Sequence, residues 1–151
     1  MPSLTEVAVL AAMLGSGLVA GLCFAFASFI MRSFDRLGTR QAVRAMQAIN
    51  AGILRSTAMP IWFGTALLGL LVAVTATEQP IAIAAATLYA IGAILITGLG
   101  NVPLNEALDL VDPDAPGAEA AWRHYRVYWG RWNALRTVVC ALAAVGFALV
   151  A

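Results

Sequence analysis

Asn101 and Asn105 stand four residues apart and Glu106 follows at once. On a helix that spacing sets both amides on one face, a turn apart, with Thr97 one turn earlier on the same stripe. A second group, Trp122, Tyr125, Trp129, Trp132 and Arg136, recurs at steps of three and four, an aromatic stripe that ends in a guanidinium with Asn133 beside it. Asn50 and Arg55 form a third polar pair. Strong polar groups gathered in apolar segments point to a ligand or catalytic site. Glu106, or His124 as the only histidine, can accept a proton. The candidate catalytic residues are therefore Arg136, Asn133, Glu106 and His124, and the candidate substrate-binding residues are Asn50, Asn101, Asn105, Trp129 and Trp132.

Other chemistries find no support in the pattern. A single histidine cannot build a histidine-rich metal cluster or a bis-histidine haem, and neither a zinc-ligand spacing nor a glycine-rich phosphate loop is present. No metal or other cofactor is expected. Cys23 and Cys140 read as small apolar fillers. The interfacial habit of tryptophan, tyrosine and arginine offers a plainer reading of the aromatic stripe, as a membrane belt. Asparagines can likewise do no more than join helices. Four strong polar groups at Asn101, Asn105, Asn133 and Arg136 exceed what packing needs.

The elements that must position these residues belong to a membrane. Of 151 residues, 62% are hydrophobic and 11% charged, far from the composition of a water-facing globule. A formal net charge of +1 gives no excess for a polyanion, so nucleic acid is not an expected partner. The runs Val7–Met31, Ser56–Thr77 and Gln79–Asn105 contain no charged residue and each exceeds the roughly 20 residues that cross a bilayer. Thr137–Ala151 is too short alone, so a fourth crossing must begin near Arg131 and carry Arg136 inside. The sequence thus predicts an all-α, single-domain integral membrane four-helix bundle over residues 1–151, with spans near 7–31, 56–77, 80–105 and 131–151.

All nine basic residues are arginines, and every one lies between Arg32 and Arg55 or between Arg123 and Arg136. The positive-inside rule assigns both strips to the cytoplasm and both termini to the outside, with a bacterial inner membrane as the expected location. Helical extensions continue into the cytoplasm: Thr39–Arg55 carries Val43, Met46, Asn50 and Ile53 on one stripe and is expected to run into the second span, and Glu119–Arg136 extends the fourth. Thr77–Pro80 reads as a tight turn and Asp112–Gly117 as a surface loop. Gly17, Gly21 and Ala25 make a smooth strip suited to close contact, within the bundle or between chains of a homo-oligomer. No carboxylate lies mid-span, which disfavours a proton-coupled transporter.

The blocks MQAIN at Met46–Asn50, NVPLNEAL at Asn101–Leu108 and WGRWNALRT at Trp129–Thr137 resemble the anthrone oxygenase-like family of small four-span membrane proteins. The resemblance covers nearly the whole chain in order. It implies an enzyme that oxidises a lipophilic aromatic of anthrone-like or quinone-like kind with dioxygen, without an established cofactor, the substrate entering from the bilayer. A base would remove a benzylic proton, and the arginine and asparagine donors would hold the enolate. The competing expectation is a non-catalytic membrane protein that binds a lipid or quinone or assists a membrane complex. A titratable base within the polar cluster separates the two.

Overall fold

With no water to satisfy its peptide groups, an apolar chain must close its own backbone hydrogen bonds, and the helix does so within one segment. The computed structural model describes residues 1–151 as five helices without a strand. They are α1, Leu4–Leu37; α2, Thr39–Ile53; α3, Ala58–Thr75; α4, Pro80–Asp109; and α5, Ala118–Ala148. Two contain π-helical stretches, Phe26–Ile30 in α1 and Ala90–Asn101 in α4.

Local sequence sets the ends. Ser3 and Glu6 form a reciprocal cap on α1, with the Ser3 amide donating to Glu6 Oε2 at 2.7 Å and the Glu6 amide to Ser3 Oγ at 3.2 Å. Gly38, the one residue at positive φ (80°), lets α2 turn away from α1 without a Cβ clash. Pro80 opens α4 after the expected turn, where its missing N–H has no helical acceptor to lose. The Asp112–Gly117 loop is present, folded by an Asp114 amide bond to Asp112 Oδ1 at 2.9 Å. The Asp114 carboxylate also pairs with Arg40 and Arg44, which ties this loop to α2.

The structure has five helices and departs from the expected four-helix bundle in two respects. First, α2 does not run into the next helix: a turn over residues 54–57 separates them, and Ser56 Oγ accepts the Ala58 amide at 3.2 Å to start α3. Second, α1, α3 and α4 are long and apolar enough to cross a membrane, whereas α5 is a single 31-residue helix that carries Arg123, Arg126, Arg131 and Arg136. It nonetheless packs along α1 and α4.

Packing falls into three layers. Small residues of α1, α3 and α4 close on Phe147 at the end near the termini. Cys23, Trp62, Tyr89 and Cys140 occupy the middle. Met46 and Val43 of α2 meet Trp122, Tyr125 and Trp129 of α5 at the arginine-rich end. Leu10, Leu14, Leu18, Leu67, Leu70 and Leu142 face outward, an apolar outer surface of the kind that a membrane-crossing helix presents. The Gly17 and Gly21 strip also faces outward, with open space where a Cβ would stand.

Candidate functional site

A cavity of about 540 Å³ lies where all five helices meet, between the middle layer and the arginine-rich end. Its lining is mainly apolar, from Leu22 and Phe26 on α1, Met46, Ile49 and Ile53 on α2, and Trp62 on α3. Five of the sequence-predicted residues line it: Asn50, Asn105, Glu106, Trp129 and Arg136. The exposed side chains of Leu54, Phe63 and Val102 stand among the lining residues at its outer edge.

Arg136 marks the deep end. It is 7% exposed and contacts no carboxylate. One terminal nitrogen donates to Thr97 Oγ1 at 3.1 Å and the other to Asn133 Oδ1 at 2.8 Å, while Nε is buried without a partner. Its guanidinium carbon lies 5.1 Å from the Trp62 ring centroid and 5.8 Å from that of Trp129. Two indole faces and two neutral oxygens thus accommodate the charge without neutralising it. The surroundings are themselves fixed. Asn133 is fully buried and donates to the Cys23 carbonyl at 2.9 Å. Trp62 Nε1 donates to the Ala93 carbonyl at 2.8 Å, and Tyr89 donates to the Trp62 carbonyl at 3.0 Å.

The other end carries the opposite charge. Glu106 and Asp109 both line the cavity, and Asp109 Oδ1 accepts from the buried Asn50 amide at 3.0 Å. Tyr125 donates to Asn105 Oδ1 at 2.9 Å, which leaves the Asn105 NH₂ uncommitted. Burial pushes the Tyr125 phenol above its ordinary range, so it stays protonated and fixes that amide. Gln47 closes the corner by donating to the Leu108 and Val111 carbonyls at 2.9 Å each.

The remaining predicted residues fall elsewhere. Asn101 is buried behind the cavity wall, its amide donating to the Trp129 carbonyl at 3.3 Å and its Oδ1 unpartnered. Asn133 acts on the cavity only through Arg136. His124 is exposed and lies tilted against Tyr128, with 4.5 Å between centroids. Trp132 is 40% exposed and covers Gly100, where a Cβ would stand 2.5 Å from the indole. Neither His124 nor Trp132 reaches the cavity, so the structure does not bring them to the site.

Asp109 and Trp62 line the cavity as well and are not among the residues expected from the sequence. Asp109 carries a signal, being four residues beyond Asn105 and so the next step of the same stripe. Trp62 carries none beyond being an indole in an apolar run. No group of three His, Cys, Asp or Glu side chains converges to hold a metal ion. Both cysteines are buried and unpaired, with Cys23 in the cavity lining.

In a comparison with known families, the family model described as anthrone oxygenase aligns with residues 45–146, about two thirds of the chain. No curated protein and no solved structure matches.

Proposed function

The chain belongs to the anthrone oxygenase family, and from that premise we propose that it is a membrane-embedded oxygenase that oxidises a lipophilic, anthrone-like or quinone-like aromatic with dioxygen. The observation that carries the proposal is the buried Arg136, whose charge has no acid partner and borders an apolar cavity large enough for a flat polycycle. Such a charge favours a ligand whose oxygen becomes negative. In the reaction, a carboxylate at the Glu106 and Asp109 end takes a benzylic proton, and the electron pair moves onto the ring ketone as an enolate held by Arg136. Dioxygen adds at the deprotonated carbon, and the resulting peroxide takes the proton back from the carboxylic acid to give a hydroperoxide. Loss of water then converts CH₂ to C=O, one oxygen atom remaining in the product and one leaving as water. The protein supplies the base, the oxyanion donors and a mainly apolar cavity; the scheme requires no bound cofactor.

The placement that accompanies this proposal has α1, α3 and α4 crossing the membrane and α5 completing a fourth crossing from about residue 131. Both termini lie outside and the arginine-rich end faces the cytoplasm of a bacterial cell. Eight arginines at one end, with Arg136 inside the bundle and none at the other end, support it. Leu54, Phe63 and Val102 then give the cavity a lateral mouth facing the acyl chains, through which an apolar substrate enters.

Oxygen uptake and product formation by purified protein with an anthrone test the proposal, with metal analysis on the same sample. Stoichiometric conversion with metal-free protein is the expected result. Binding without oxygen uptake would replace the enzyme by a ligand-binding protein, and activity that tracks a bound metal or haem would overturn the cofactor-free scheme.

A further inference from the structure

A second concavity lies behind the cavity, on the outer surface between α1 and α5. Small residues create it: Ala27 on α1 and Gly130 and Ala134 on α5 leave a groove of about 360 Å³ where the two helices would otherwise be filled by side chains. Gly130 has nothing within 4 Å of where its Cβ would be. The π-helical turn Phe26–Ile30 forms the α1 side.

The groove is polarised along its length. Because α1 and α5 run antiparallel, Arg32 lies opposite Arg126 at the arginine-rich end, while Ala27 and Ala134 lie deeper. Arg126 is paired to Asp35 at 2.6 Å. Arg32 and Arg131 make no ion pair, and no carboxylate lines the groove. Arg131 instead lies over the Tyr128 ring, 5.6 Å from its centroid. A cationic mouth that leads into a narrow apolar trough has the polarity of a phospholipid, with the phosphate at the arginines and an acyl chain along Ala27, Gly130 and Ala134.

We propose that the α1/α5 groove is a binding site for one anionic phospholipid, its headgroup held by Arg32, Arg126 and Arg131. The site shares a wall with the cavity: Phe26 and Trp129 line both, and their rings meet edge to face at 5.5 Å. Trp129 is also one of the two indoles against Arg136. A lipid in the groove therefore supports the back of the oxygenase site. The inference rests on the membrane placement proposed above.

The test is retention of lipid by protein taken from bilayers of equal phosphatidylglycerol and phosphatidylcholine, read by native mass spectrometry after detergent extraction. Wild type should retain one phosphatidylglycerol in preference to phosphatidylcholine. Each arginine near the surface contributes about fivefold, so Arg32→Gln/Arg131→Gln should reduce that preference about 25-fold. Arg36→Gln/Arg123→Gln removes the same charge outside the groove and should retain the wild-type preference. Gly130→Phe fills the trough with every arginine intact and should lose the lipid. Equal retention of both lipids by wild type, or equal losses in the two double variants, would overturn the site. Displacement by glycerol 3-phosphate at the concentration of the lipid would mark a soluble phosphate ester as the occupant and also overturn it. A protein extracted from membranes by alkaline carbonate would instead refute the membrane placement, an outcome distinct from a membrane-embedded protein without lipid preference.

Discussion

Replacing Arg136 by methionine separates the cost of holding this charge from its use. The guanidinium donates two hydrogen bonds, to Thr97 and Asn133, and rests against two indoles. Its removal leaves Asn133 Oδ1 without a donor in a fully buried position, which costs about 1–3 kcal/mol. The lost cation–π contacts add about 1–2 kcal/mol. Against these stands the burial of a charge without an acid partner, a penalty of several kcal/mol that methionine of similar length removes. The terms nearly cancel, so Arg136→Met should fold with a stability within about 2 kcal/mol of wild type. Turnover has no such compensation. Loss of one preorganised donor to an oxyanion lowers kcat by about 10²–10³, equivalent to about 2.7–4 kcal/mol of transition-state binding. The assay pairs oxygen uptake with a thermal midpoint in the same detergent, and Arg40→Ala, an exposed arginine bonded to Asp114, is the control. If Arg136→Met elutes as aggregate or melts far below wild type, the guanidinium is a structural strut. If its turnover equals that of Arg40→Ala, no negative charge develops beside it, and either result refutes the reasoning.

Other expectations follow from particular contacts. Asp109→Asn and Glu106→Gln should lower turnover with an anthrone while His124→Ala leaves it unchanged, since only the first two side chains line the cavity; steady-state rates across the three variants decide this. A cysteine placed at Asp114 should react with a membrane-impermeant maleimide only after the cells are opened, and labelling of intact cells would invert the topology. Gly100→Ala sets a Cβ 2.5 Å from the Trp132 ring and should cost about 1–3 kcal/mol, whereas Gly17→Ala meets open space and should be close to neutral, as thermal melts will show.

Periodicity made the helices, the Thr77–Pro80 turn and the Asp112–Gly117 loop legible, because charge-free runs and turn residues report on local backbone demands. It also picked out Asn50, Asn105, Glu106, Trp129 and Arg136, since strongly polar groups in apolar segments must be answered by something. The break at residues 54–57 was not legible: Leu54, Arg55, Ser56 and Thr57 include no glycine or proline, and the turn is stabilised by Ser56 after the chain has turned. Nor does a stripe say which of its members meets a neighbour. Trp132 and Trp129 belong to one run, yet Gly100 draws the first outward while the second turns in against Arg136. Asp109 continues the four-residue step of Asn101 and Asn105, but it lies past the end of the charge-free run, where a charged residue is unexceptional.

The π-helical stretch from Ala90 to Asn101 makes α4 two screws of different phase joined end to end. Above it, Ala82, Ala85, Ala86 and Tyr89 face the core; below it, Pro103 needs no acceptor and the α register resumes after the Val102 amide bond to the Thr97 carbonyl. Each residue of an α-helix turns the chain by about 100°, so losing one residue from the wide segment would rotate everything beyond it by roughly that angle. Asn105, Glu106 and Asp109 would leave the cavity together while the alanine face stayed seated. The acidic end of the site is thus indexed by a count of residues in the middle of a helix, and a chain could gain or lose that half of its chemistry by a single codon without disturbing its packing above.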